Sequence, residues 1–219
     1  MKKAIIFGNS DFAKLIKWYL INDAHLNVVA ATVDDEYVSS NYFDGIPLIP
    51  FSKVLDSYSN HEYYMVICLG YNAMNMNRKN IFEKCKKHGY SILTYIHSTA
   101  IVASNVELGE GNIILEKSII QPFTKIGKGN IFWSNVNISH DDMIGDFNFF
   151  APSSSVAGFV KIGNNCFFGN NCTIRNGIEI SNCTLVGAGT YINKDTLPNH
   201  MYKINGSFES IINYNGIRF

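Results

Sequence analysis

A chain of 219 residues, 47% of them hydrophobic, is long and apolar enough to bury one large core or two small ones. Eighteen basic residues balance eighteen acidic ones, which excludes the broad electrostatic footprint of a nucleic-acid or membrane-surface binder; an anionic ligand has to be held by local groups. The apolar run Ala4-Ile5-Ile6-Phe7 stops at Gly8, short of a secretory core, and no stretch is long enough for a membrane span. Five cysteines, odd in number and without a Cys-x-x-Cys pair, read as buried apolar side chains in a reducing cytoplasm.

Residues 1–97 alternate strand-like and helix-like segments. Ala4 to Phe7 is a short apolar run, Phe12 to Leu20 has helical spacing, and Asn27 to Val33 is strand-like. Tyr63 to Leu69 is a second apolar strand, Arg78 to Lys87 a helix, and Tyr90 to Ile96 a strand again. This alternation predicts an α/β, Rossmann-like domain with a small parallel sheet. Gly8-Asn9-Ser10 follows the first strand and opens a helix, where such folds hold phosphate on backbone N–H groups; Asn9 and Ser10 stand where the glycine fingerprint has flexible positions. Asp34 and Asp35 end the second strand, in reach of ribose hydroxyls or a base edge, and Gly70 ends a later one. Arg78 is placed to pair with a phosphate. Each of these residues also reads as an ordinary turn or surface residue. The sheet has no room for a second mononucleotide half, which favours a nucleotide-sugar over NAD.

Residues 98–196 obey a different rule. Every sixth residue from Val102 to Ile192 is apolar, through Leu108, Ile114, Ile120, Ile126, Phe132, Ile138, Ile144, Phe150, Val156, Ile162, Phe168, Ile174, Ile180 and Val186. The residue after each is usually small, as at Gly109, Gly127, Gly145 and Gly163. A period of six fits neither an α-helix nor a flat strand, and predicts a parallel β-helix. Three hexads make an 18-residue coil, visible in Asn112, Asn130 and Asn148. A tail, 197–219, follows.

The one histidine between His97 and His200 lies in Ile138-Ser139-His140-Asp141-Asp142. His140 comes two places after an inward residue, so it projects from a coil turn. One coil on, Gly158 stacks beside it at about 4.8 Å, the spacing of adjacent strands. A proton acceptor next to a backbone free of side chain suits acyl chemistry, and either aspartate can hold one imidazole nitrogen. A solvated turn remains the plain alternative for both aspartates.

The stretches IIFGNSDFAK, VDD, YIHSTAIV, SHDDMIGDF, VAGFVKIG and LVGAGTYINKD carry a resemblance. Residues 1 to about 196 resemble the bacterial sugar acyltransferases that N-acetylate nucleotide-linked amino sugars, the group of the bacillosamine and perosamine N-acetyltransferases. The resemblance implies a left-handed β-helix, acetyl-CoA as co-substrate without a metal, and a homotrimer with its sites at subunit junctions. It implies that His140 is the general base, Asp141 its acidic partner, and Gly158 the amide facing the thioester carbonyl, with Asn176 also at acetyl-CoA. The acceptor implied is a nucleoside-diphosphate-linked 4-amino-4,6-dideoxyhexose used in bacterial surface glycan biosynthesis. The nucleotide would sit on the front domain, and Trp133 and Phe149 would lie near the sugar, covered by a neighbouring subunit. The chain departs from the pattern at Phe12 and Phe149, where relatives carry histidines, at Trp133, where they carry a polar residue, and in its C-terminal segment. Three other readings stay open: sialic acid O-acetylation, which needs no nucleotide; a zinc carbonic anhydrase, which needs several histidines from facing coils; and a non-catalytic scaffold, which would not bind coenzyme A.

Overall fold

The computed structural model describes residues 3–204. The front domain contains β1 (Lys3–Phe7), α1 (Asp11–Asn22), β2 (Val28–Val33), β3 (Tyr42–Phe43), β4 (Ile46–Pro50), α2 (Val54–Ser57), β5 (Tyr63–Ile67), α3 (Met76–Lys87) and β6 (Ser91–Ile92). The sheet order is β3-β4-β2-β1-β5-β6, parallel except for the antiparallel β3–β4 pair. β1 is apolar throughout after Lys3 because it is central, with β2 and β5 on either side; Ala4, Ile5, Ile6 and Phe7 are all buried. The β3–β4 hairpin was not anticipated. It turns on Asp44-Gly45, both at positive φ (45° and 82°), the pair of backbone conformations a two-residue hairpin loop demands.

The expected strand from Tyr90 to Ile96 is divided between the two sheets. Ser91–Ile92 closes the front sheet, whereas Tyr95–Ile96 pairs with Ile113–Ile114 and opens the coil stack. From there the chain winds a left-handed parallel β-helix of two-residue strands in three sheets of seven, six and five. The first face runs from Tyr95–Ile96 through Ile131–Phe132 and Phe149–Phe150 to Met201–Tyr202. The second runs from Ile101–Val102 through Asn137–Ile138 to Tyr191–Ile192, and the third from Glu107–Leu108 to Glu179–Ile180. All partners are offset by 18 residues, as Ile120 to Ile138 and Ile138 to Val156, except at the last rung, where Leu185 pairs with Met201. The second residue of each hexad strand points inward, and together these residues form one core. Phe132, Phe150 and Phe168 stack at 4.8 and 4.5 Å, each contact adding about 0.5–1.5 kcal/mol beyond the area it buries. The tail begins within this stack, and residues 205–219 lie outside the described residues.

The front domain sits on the first face and on the two corners beside it. Tyr95, Ile113, Leu115, Ile131 and Phe149 share a core with Ile6, Ile16 and Val66 of the front sheet and α1. Tyr19 donates to Glu116 at one corner (2.9 Å), and Asn75 and Arg78 reach the other. The third corner, between the second and third faces, is left uncovered by the chain's own front domain.

A candidate active site at the uncovered corner and a cleft in the front domain

His140 lies on that third corner with its side chain about half exposed (49%). Its N–H donates to Gln121 Oε1 (3.1 Å), and its carbonyl accepts the Phe159 N–H (3.2 Å), so its backbone is tied to both neighbouring coils. Nδ1 lies 2.9 Å from Asp141 Oδ2. A carboxylate can only accept, so Nδ1 carries the proton and Nε2 is the open acceptor. Asp141 makes this reach from a left-handed backbone (φ 60°), a conformation that a short polar side chain tolerates. The Phe159 ring stands edge-on to the imidazole at 5.1 Å and limits its rotation.

Gly158 is directly beside the ring. A Cβ built there would lie 2.9 Å from His140 Cε1 and 3.0 Å from Nε2, closer than side chains pack. Its carbonyl accepts the Gly177 N–H (3.1 Å), while its own N–H meets no acceptor among the described residues. Asn176 is exposed one coil further along the same corner. His140, Asp141, Gly158 and Asn176 therefore form one column that offers a base, the group orienting it and an uncommitted amide. Asp142 does not share in it: that side chain turns into the coil, and burial pushes its carboxyl up to about 8.

The front domain holds a separate cleft of about 420 Å³ at the carboxyl ends of β1 and β2. Gly8, Asn9, Ser10 and Asp34 line it, as expected. Gly8 adopts φ 137°, and a Cβ there would strike the Cys68 carbonyl at 2.8 Å, so this position requires glycine. Ser10 caps α1 by accepting the Ala13 N–H (3.4 Å), which turns the helix N-terminus toward the cleft. Asp34 is paired with Lys84 at 2.5 Å. Asn72, in the Gly70-Tyr71-Asn72 strand end, also lines it, and sequence reasoning missed Glu36, Tyr37, Asn77 and Asn80. The signal for two of them was present: Asn77 and Asn80 are three apart on α3 and so share a helix face.

Three expected nucleotide residues lie elsewhere. Arg78 is 1% exposed and saturated: Nε donates to Gly129 O, the terminal nitrogens to the carbonyls of Gly70, Phe147 and Asn148 and to Asn75 Oδ1, at 2.6–3.1 Å. It clamps the two domains together and has no donor left for a phosphate. Gly70 contributes its carbonyl to that clamp and does not line the cleft. Asp35 faces away, with its carboxylate held low by the Ser52 hydroxyl and N–H.

Trp133 and Phe149 are covered by their own chain. Trp133 meets Phe12 at 5.7 Å, and Phe149 packs between Tyr71 and Phe167 at 5.0 and 5.3 Å. Both belong to the first face, away from the His140 of the same chain. Among the described residues no group of three His, Cys, Asp or Glu side chains is arranged to hold a metal, and no helix is long and apolar enough to cross a membrane.

The bacterial transferase hexapeptide (six repeats) model matches residues 143–176. The acetyltransferase domain of PglB from Neisseria gonorrhoeae FA1090 superposes with a TM-score of 0.83 over 94% of this chain and 98% of that one, at 20% identity. The chain has the fold of that acetyltransferase domain. The same PglB domain has been solved in complex with acetyl coenzyme A and matches equally well (TM-score 0.83, 20% identity, 93% of this chain and 97% of that one). PerB from Caulobacter crescentus, solved in complex with CoA and GDP-perosamine, gives a TM-score of 0.82 at 25% identity over 93% of this chain and 94% of that one. No curated protein sequence matches the chain.

Proposed function

We propose that this protein is an acetyl-CoA-dependent N-acetyltransferase whose acceptor is an amino sugar carried by a nucleoside diphosphate, a 4-amino-4,6-dideoxyhexose destined for a bacterial surface glycan. The observation that carries the reading is the corner at His140: an imidazole oriented by Asp141 at 2.9 Å, its open nitrogen over a glycine whose amide is uncommitted. Fold similarity to PglB and PerB, solved with acetyl coenzyme A and with CoA and GDP-perosamine, supports both the donor and the acceptor class.

In this reading His140 Nε2 takes the proton from the sugar amine as the amine attacks the thioester, and Asp141 stabilises the imidazolium that results. As the tetrahedral intermediate collapses, the C–S bond breaks and the imidazolium returns its proton to the coenzyme A thiolate. The Gly158 N–H meets the charge that grows on the thioester oxygen. The front cleft holds the nucleotide through the α1 N-terminus, Asp34 and the asparagine amides. That cleft opens on the covered side of the helix and His140 on the uncovered corner, which supports a homotrimer in which one subunit presents the sugar to the His140 of another. Five free cysteines, four of them buried, fit a cytoplasmic enzyme.

The test is release of free thiol from acetyl-CoA over a panel of UDP-, dTDP- and GDP-linked amino sugars. Turnover with one of them is expected. A blank over the whole panel, with acetylation of free sialic acid instead, overturns the reading.

A further inference from the structure

Asp142 follows the His140–Asp141 pair but points inward. It is fully buried between Thr124 of the coil before and Val160 of the coil after. Oδ1 accepts the Val160 N–H at 2.8 Å, and Oδ2 is buried with no partner among the described residues. A buried carboxylate oxygen without a donor is costly, so the group needs another explanation.

The repeat itself supplies one. At the same hexad position on another corner, Asn112 accepts the Asn130 N–H (2.8 Å) and donates to the Gly127 carbonyl (2.8 Å). Asn148 accepts the Cys166 N–H (2.7 Å) and donates to the Gly163 carbonyl (2.9 Å). Each amide thus bridges the first C=O and the last N–H of a four-residue turn in the next coil. Thr124 makes the donor half of the pattern, to Ser139 O at 2.8 Å. Asp142 stands in this relation to the turn 157–160, where the carbonyl in the donor's place belongs to Ala157.

Turns without such a bridge close on themselves, as when the Ser154 N–H reaches Ala151 O (3.2 Å) or the Cys172 N–H reaches Gly169 O (3.2 Å). Here the Val160 N–H is drawn to Asp142, and the Ala157 carbonyl meets no donor among the described residues. A carboxylate cannot supply one. A carboxylic acid can, since it has the one donor and one acceptor that the asparagine amide uses.

We propose that Asp142 is a positioning residue, a neutral acid whose Oδ2–H closes on the Ala157 carbonyl and so fixes the turn that aims the Gly158 amide at the reacting centre. Its importance for catalysis rests on the His140–Gly158 reading of the site; the bridge itself does not. Burial is the largest influence and pushes the carboxyl up to about 8, against the Val160 and Ser139 N–H groups, which favour the carboxylate. The charge acting on it, the Asp141 carboxylate against His140, pushes the same way as burial, and Thr124 and Val160 on the coils to either side bring none.

Asp142→Asn and Asp142→Ala, followed from pH 5 to 9, test this with two readouts. The folded pKa lies above the unfolded value, so the stability the group contributes is full in acid and is lost as pH rises toward 8. Relative to Asp142→Asn, the wild-type unfolding constant should rise by up to about tenfold per pH unit over that range and then level off. Asp142→Ala should be less stable than both below pH 8. In the thiol-release assay, Asp142→Asn should keep kcat within about threefold at pH 7 and lack the loss that wild type shows above pH 8. Asp142→Ala should lose at least about tenfold, part of the 10²–10³ that a missing oxyanion donor costs. Parallel stability profiles for wild type and Asp142→Asn overturn the neutral bridge, and an Asn variant as inactive as the Ala variant overturns its role in positioning. If wild type acetylates no nucleotide-sugar at all, the transferase reading fails, and the stability profiles still decide the bridge.

Discussion

Gly158 lies one coil beyond His140 on the same β-helix corner, so close that a single methyl group on Gly158 would lie 3.0 Å from His140 Nε2. Gly158 does not have a left-handed backbone, so alanine is allowed there conformationally and is opposed by the imidazole and by the His140 carbonyl at 3.1 Å. Gly158 is buried, so Gly158→Ala should fold but cost about 1–3 kcal/mol as the crowded neighbours shift. It should lose about 10- to 100-fold in kcat by displacing the ring and crowding the amide, a part of what a misplaced oxyanion donor costs. Unfolding curves and steady-state rates on the same preparation separate the two effects.

Arg78 should matter for stability and not for chemistry. Burial lowers its guanidinium to about 9, still protonated at neutral pH, with all its donors on oxygens of both domains. Arg78→Met strands several buried carbonyls and should cost about 3–5 kcal/mol in urea unfolding. A loss below 1 kcal/mol would mean that the clamp is replaceable by water.

The two neighbouring aspartates of the front domain should behave differently. Asp34→Ala removes a cleft wall and should weaken nucleotide binding by roughly 10-fold or more, the cost of about one charge-assisted hydrogen bond. Asp35→Ala loses only the Ser52 contact and should leave nucleotide affinity within about twofold. Calorimetric titration with the nucleoside diphosphate reads both, and neither change should alter coenzyme A binding.

The coil was legible because its rule is local: each inward residue repeats every six positions, and one violated hexad would have broken the stack. That Gly158 lies beside His140 was legible for the same reason, since residues 18 apart must be neighbours; which aspartate holds the imidazole was not, and Asp141 was named by the resemblance alone. The front cleft was half legible. Gly8 and Ser10 follow from a strand-to-helix turn, but Arg78 does not, because whether a helix arginine meets solvent or a second domain depends on how the domains dock, and no period records that. The expectation that a neighbouring subunit covers Trp133 and Phe149 failed on the same account: outward from a coil means exposed only where nothing else covers the face. The neutral state of Asp142 was hidden because it depends on burial and on a turn one coil away.

Since the cleft and His140 of one chain lie on different sides of the helix, the proposed trimer makes a prediction about mixed subunits. At a nucleotide-sugar concentration well below KM, where Asp34→Ala is slowed by its weaker binding and His140→Ala by its lost base, the two kinds of subunit unfolded together and refolded as mixed trimers should be more active than either alone. No recovery, or a monomer mass by light scattering, would place both halves of the site within one chain.

The most direct measurement is the rate of thiol release by wild type, Asp141→Asn and His140→Ala on the accepted nucleotide-linked amino sugar. A positioned general base contributes roughly 10²- to 10⁴-fold, so His140→Ala should lose kcat by that order while keeping its fold and its affinity for coenzyme A. Asp141→Asn should lose less, because it disturbs only the tautomer and orientation of the ring. A His140→Ala enzyme with near-normal kcat would contradict the account, since the imidazole would then be an ordinary side chain on a coil turn.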